Sequence, residues 1–185
     1  MIREERALET LTAKDVLYTK EFYRRFLYSL SEPISKLVIC SPYFDKMPEP
    51  FRDIVYFCEF QRKKGVDVIR VITRPPGHGN SVLSVEAAKR LAVNDVEVFV
   101  LTNPFLHAKL YHMEYRKGHF RSFVGSSNFT LGGFRRNHEL VAEMEGVGVN
   151  SPCHREIERM LNSAGTIRYE AWLAREMPKG AEEAT

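Results

Sequence analysis

Cysteine is scarce and unpaired in this chain. There are three in 185 residues, an odd number with no spacing of the kind a metal site uses. Such a set argues against a disulfide-stapled secreted scaffold and suggests reduced thiols in a cytoplasmic protein. Cys40 falls in an apolar strand pattern and Cys58 in an apolar helix pattern, so both read as core residues. No apolar run approaches the length that spans a bilayer. The first ten residues, MIREERALET, mix acids with bases and contain no apolar core segment, which excludes a signal peptide. No internal repeat is visible, no carboxylate cluster suggests a metal, and no cofactor is implied. A large excess of one charge is also missing. The net charge of +3 permits an anionic substrate without demanding one.

What is present is an ordinary globular composition. With 44% hydrophobic and 28% charged residues, 185 residues suffice for one domain with a real core, and two would be cramped. We read a single domain over 1–185, with a polar tail from about residue 178. The pattern predicts a helix over Thr12–Ser31, a buried strand over Lys36–Cys40 and an amphipathic helix over Pro50–Lys64. A strand over Val66–Thr73, a helix over Ser81–Ala92 and a strand over Val96–Leu101 follow. Beyond residue 105 come a hairpin, a Gly-rich segment and a strand over Glu139–Met144. A helix over Pro152–Ser163 and a last element over Ile167–Ala174, with Trp172 as a packing anchor, complete the chain. Strands and helices alternate before the hairpin, which argues for an α/β sandwich with a central mixed β-sheet flanked by helices.

The chain is organised around residues 105–139, FLHAKLYHMEYRKGHFRSFVGSSNFTLGGFRRNHE. LHAKLY alternates in the period-two manner of a strand, so His107 and Lys109 project side by side from one face. FRSFVG reads as the return strand and ends in GSSN, whose backbone N–H, hydroxyl and amide groups suit an anion. Together with Glu139 this supplies an imidazole, a permanent cation, polar donors and a carboxylate. Attack on a phosphodiester needs such a set: charge must be neutralised, a nucleophile delivered and the leaving oxygen protonated. His107 can serve as nucleophile or as acid–base group, and Lys109 can hold the non-bridging oxygens. Ser126 and Asn128 donate further hydrogen bonds, and Glu139 orients the imidazole. Ser127, facing away from Ser126, reads as structural, and His112, His119 and His138 as surface or supporting groups. Arg74 opens a Gly- and Pro-rich loop at the C-terminal end of a strand, the edge at which open α/β sheets bind ligands. It is a candidate for substrate contact beside Arg135 and Arg136, while His78 in the same loop reads as solvated.

The set His107-x-Lys109, Gly125-Ser126-x-Asn128 and Glu139 resembles the signature of the phospholipase D superfamily, in its nuclease-like branch. The resemblance is specific over Leu106–Glu139 and softer over Lys36–Phe44. One departure is Glu114, where the family has an Asp in a supporting role. The connection from Glu114 to Gly125 is also longer than usual, which implies an extended hairpin. In that family two motif copies meet across a two-fold axis, and this chain has one. The resemblance therefore implies a homodimer in which His107 attacks and His107 of the partner subunit protonates the leaving group. A phosphohistidine intermediate follows, and nothing in the scheme needs a metal.

Fold and motif do not choose the substrate. We expect an endonuclease acting on DNA, because the domain is small, basic residues flank the site and no membrane-binding stretch is seen. A phospholipase or cardiolipin-type phosphodiesterase, and a DNA-binding module that cleaves nothing, remain alternatives.

Overall fold

The computed structural model describes residues 11–77, 82–148 and 151–176. The chain runs β1 (Leu11–Tyr18), α1 (Thr19–Ser29), β2 (Ile34–Cys40), α2 (Ile54–Lys63), β3 (Val68–Thr73), α3 (Val85–Val93) and β4 (Glu97–Leu101). It continues through β5 (Leu110–Tyr115), β6 (His119–Gly125), a π-helical turn (Gly132–Arg136), β7 (Leu140–Val147), α4 (Pro152–Leu161), β8 (Thr166–Arg168) and α5 (Tyr169–Glu176). Local chemistry starts three of the helices. The side chains of Asp53, Ser84 and Ser151 each accept a hydrogen bond from the backbone N–H three residues on, and Pro152 opens α4.

The eight strands form one mixed sheet in the order β1-β7-β6-β5-β2-β3-β4-β8. β2, β3 and β4 are parallel, and the other pairings are antiparallel. The helices divide unequally between the faces. One face carries α1, α2, α3 and α5 over a large core that includes Phe22, Phe26, Phe57, Leu91 and Trp172. The other carries α4, whose Cys153, Ile157 and Met160 cover Val38, Cys40, Ile72, Leu106 and Leu110. The expected α/β sandwich with a mixed sheet is the observed fold.

Two elements depart from the sequence reading. Residues 11–18 form an edge strand on β7 rather than the first half of a helix, and α1 begins at Thr19. The strand is exposed on both sides over residues 12–16, so no burial imposed a period of two on its sequence. Its conformation comes from the free backbone edge of β7, to which it pairs from Leu11↔Gly146 to Tyr18↔Leu140. At the other edge, the last element divides into a three-residue strand on β4 and α5. The hairpin is extended as expected, with β5 and β6 joined through a turn at residues 116–118. His78 and the polar tail lie outside the described residues. Among the described residues no helix is long and apolar enough to cross a membrane.

The α1 face also buries a charge. Glu143 on β7 has no exposed surface, and its carboxylate lies 3.0 Å from Arg25 Nε on α1 and 3.3 Å from Arg121 Nε on β6. Neither N–H is aimed well enough to count as a hydrogen bond, so the contact is chiefly charge against charge. Removing one member of a buried pair leaves its partners uncompensated, which costs more than the pair contributes. Glu143→Ala is therefore expected to lower the unfolding free energy by about 3 kcal/mol in urea titration. A loss below about 1 kcal/mol would mean that the guanidiniums reach water or Glu145 instead.

Candidate active site

His107 and Lys109 lie in the extended segment that leads into β5 rather than in the strand itself, which starts at Leu110. The expected alternation holds only in part, since Ala108, between two buried leucines, is exposed. Leu106 and Leu110 are buried on the α4 face, and Tyr111 enters the aromatic core on the other. His107 is exposed, whereas Lys109 is 7% exposed. The Lys109 ammonium lies 3.1 Å from His107 Nδ1 and 3.3 Å from Nε2, and donates to the His107 carbonyl at 2.7 Å. Burial pulls the Lys109 pKa below the ordinary lysine value, and the charge of Glu139 partly opposes that shift.

The GSSN segment closes against this pair. Gly125 N–H donates to the Lys109 carbonyl at 3.2 Å, so the end of β6 runs alongside the motif lysine. Gly125 also lies so close to β7 that a Cβ there would overlap the Leu140 carbonyl oxygen. This approach sets Ser126 beside Glu139. Ser126 Oγ donates a short hydrogen bond to Glu139 Oε2 and accepts one from Leu140 N–H at 3.1 Å. Asn137 Nδ2 donates to the other oxygen of Glu139 at 3.1 Å, and Thr19 Oγ accepts from Glu139 N–H at 3.0 Å. Glu139 itself is 8% exposed.

These contacts revise two expectations. Among the described residues, no hydrogen bond joins Glu139 to His107. The carboxylate is held by Ser126 and Asn137 and acts on Lys109 through its charge. The first half of the GSSN backbone is not open to an anion either, because Gly125 N–H is bonded to Lys109 O and Ser126 N–H to Leu140 O. Ser127 turns inward: it is fully buried, donates to the Gly133 carbonyl at 2.8 Å, and its own carbonyl accepts from the Tyr111 hydroxyl at 2.6 Å. Asn128 is the free member. Its Oδ1 is buried without a hydrogen-bond partner, and its side chain lines a polar groove of about 700 Å³.

Tyr43, Lys46 and Arg136 line the same groove, together with Asp45 and Asn137. Of the three candidate arginines, Arg136 therefore joins Asn128. Arg135 does not: its guanidinium stacks on the Tyr23 ring of α1, 5.4 Å from the centroid. Neighbouring residues of a helical turn point in different directions, which the run Arg135-Arg136 conceals. Arg74 donates to the Tyr43 hydroxyl at 2.9 Å and lies over the rings of Tyr43 and Phe105, at 5.5 and 5.2 Å. Phe105 is 68% exposed and only two residues before His107. Tyr43 and Lys46 were not singled out from the sequence. Their signal was their place just after the C-terminal end of β2, the ligand-binding edge of parallel strands.

Glu114 lies away from these residues, near the far end of β5. There its carboxylate meets Lys36, His112 and His154 at 3.2, 3.3 and 3.2 Å. Burial works against its ionisation, but the hydrogen bond from His112 and the Lys36 charge prevail and hold its pKa at about 2. His112, expected to be a surface or supporting group, is fully buried and bonds Ser122 and Glu114.

Comparison with known proteins agrees with this geometry. The family model described as "Cardiolipin synthase, PLD-like domain" matches residues 27–161, well over half of the chain. No curated protein sequence matches. Among solved structures, the phospholipase D family member Nuc from Salmonella typhimurium superposes with a TM-score of 0.61 at 17% identity, over 87% of this chain and 98% of that one. NucT from Helicobacter pylori gives 0.51 at 14% identity, over 86% and 100%. Phosphatidylserine synthase from Haemophilus influenzae gives 0.54 at 13% identity, over 86% of this chain and 40% of its own. At these identities the superpositions report the fold, and the family rests on the match over residues 27–161. The chain belongs to the PLD-like domain family, within the phospholipase D superfamily of enzymes that act on phosphodiester bonds.

Proposed function

We propose that this protein is a nuclease that hydrolyses DNA through a phosphohistidine on His107, in a site completed by a second copy of the chain. The observation that carries the reading is one juxtaposition. An exposed imidazole sits against a buried ammonium and near a Ser126–Glu139 pair, and Asn137, which bonds Glu139, lines a groove bearing Lys46 and Arg136. A polar groove with two cations suits a phosphate backbone. The shared fold of the phospholipase D family member Nuc and of NucT accords with chemistry at a phosphodiester.

In the proposed reaction a ring nitrogen of His107 attacks phosphorus, forming a P–N bond as the bond to the leaving alkoxide breaks. The imidazolium of His107 of the partner subunit gives its proton to that oxygen. It then takes a proton from water, which attacks phosphorus and releases the phosphomonoester and free His107. Lys109 neutralises the non-bridging oxygens, where partial desolvation strengthens its field. Glu139 keeps that lysine charged and fixes Ser126 as a neighbouring donor.

A second copy is also favoured by the sheet surface beside the site. Val16, Tyr18 and Leu140 are 58%, 74% and 53% exposed, on the β1–β7 edge of the face that α4 leaves open. Leu140 directly follows Glu139, so a two-fold interface on this strip would bring two sites together.

The decisive assay compares wild type with His107→Ala on plasmid and single-stranded DNA in excess chelator, with phospholipid vesicles as a parallel substrate. Wild type is expected to cut DNA and the variant to fall to background. Turnover of the lipid alone would replace the nuclease reading, and turnover of nothing would favour a binding module. Lys109→Ala is expected to slow cleavage by about 10³-fold.

The pH profile has a defined sign. The reaction needs charged Lys109, so log(kcat/KM) is expected to fall with rising pH along a limb below the ordinary lysine value. In Glu139→Gln, which removes the carboxylate that raises the Lys109 pKa, the limb should move to still lower pH. A limb that does not move would separate Glu139 from Lys109.

Association should set the rate. Leu140→Asp is expected to sediment as a monomer and lose most activity per chain, and wild type should lose it on dilution. A monomer that cuts at the full rate would refute the shared site.

A further inference from the structure

His112 and Glu114 are two residues apart on β5, so their side chains leave the same face of the sheet. That face is covered by α4, whose first turn carries His154. The three converge. His112 Nε2 lies 3.3 Å and His154 Nδ1 3.2 Å from one oxygen, Glu114 Oε1, and all three donor atoms are within 4.8 Å of one another. Four-coordinate zinc, with bonds of about 2.0–2.2 Å, separates its ligand atoms by about 3.3 Å. Two of the three separations already have that value.

The His112 ring is also supported from behind. His112 Nδ1 is 2.7 Å from Ser122 Oγ, whereas His154 Nε2 lies 4.0 Å from Glu158 Oε1, a charge contact beyond hydrogen-bond reach. Metal-bound histidines characteristically use their second nitrogen as His112 does, which aims the first at the ion. Lys36 is the competing feature. Its ammonium lies 3.2 Å from the same Glu114 oxygen. That oxygen thus has three nitrogens around it but only two lone pairs, so it cannot satisfy all three as ordinary hydrogen bonds. An ion would accept the carboxylate and both imidazoles as ligands, and the flexible lysine stem lets the ammonium withdraw.

We propose that His112, Glu114 and His154 bind a divalent transition ion of the zinc type, with water completing the coordination, and that the ion ties α4 to β5. Two imidazoles and one carboxylate favour such a metal over calcium or magnesium, which prefer all-oxygen sets. The site is separate from the cleavage chemistry. At roughly 3.3 Å per residue, the five residues from Lys109 to Glu114 span about 16 Å. A metal here holds a helix to the sheet and activates no nucleophile at His107.

The test uses tag-free, chelator-stripped full-length protein titrated with Co²⁺ and then Zn²⁺. Expected are one equivalent of cobalt with the visible absorption of a four-coordinate ion, its displacement by zinc, and a Tm raised by several degrees when zinc is present. His154→Ala, on a helix surface, should weaken binding by more than about 100-fold, and Ser122→Ala by about 10-fold. Glu114→Gln, which keeps the side-chain shape, should match His154→Ala, while Lys36→Met should tighten binding. Equal zinc affinity in wild type and His154→Ala, or a cobalt spectrum without four-coordinate absorption, would overturn the proposal and leave an ion-pair network only. These readouts are independent of catalysis, so failure of the nuclease assay would not touch them.

Discussion

The backbones of β6 and β7 meet at Gly125 more closely than any side chain permits, and the site depends on that contact. Because the strands close there, Ser126 falls beside Glu139, and Lys109 runs along Gly125 on the other side. A buried carboxylate would be costly alone, and Glu139 is satisfied by Ser126, Asn137 and the neighbouring ammonium. The Glu139 charge in turn opposes the downward shift that burial imposes on the Lys109 pKa. The same geometry that pairs two desolvated charges concentrates a positive field where His107 reaches solvent. A larger residue at Gly125 would separate all of these groups at once.

Beneath the site lies an aromatic layer. Phe22 and Phe26 of α1 pack with Tyr111, Phe123, Phe129 and Phe134, with ring centroids mostly between 5.3 and 6.2 Å. Tyr111 has a second function, since its hydroxyl holds the Ser127 carbonyl. Gly133 approaches the Asn128 carbonyl so closely that no Cβ fits, which packs the Gly-rich turn under the motif loop. The GSSN loop is therefore fastened to the core from below. Rigid support of this kind is what a phosphoryl-transfer site requires, because its chemistry is mostly positioning and electrostatics.

The opposite face is built differently. α4 covers only its middle, so Val16, Tyr18 and Leu140 remain exposed near the site at one edge. Beside the first turn of α4 sit charged and imidazole groups around Glu114, while the rest of the helix packs on apolar residues. The acid that replaces the family's Asp thus belongs to a helix-anchoring cluster, and the long β5–β6 hairpin carries Ser122 to it.

Much was legible in the one-dimensional pattern because burial imposed it. β2, β3 and β4 are apolar on account of lying inside a covered sheet, and α2 and α3 show their caps and apolar sides. β1 was not legible, since an edge strand exposed on both sides needs only its backbone to pair, and any polar sequence can do that. The residue types of the site, His107, Lys109, Ser126, Asn128 and Glu139, were likewise determined by the sequence, because the chemistry demands those groups. Their partners were decided only in three dimensions. Glu139 bonds Ser126 rather than the imidazole, Arg135 turns to Tyr23 while Arg136 enters the groove, and His112 meets His154 from a helix 40 residues away from Glu114. Sequence spacing specifies which face of its own element a side chain leaves from. What that face meets depends on strand order and helix docking, which are set by contacts distant in the chain.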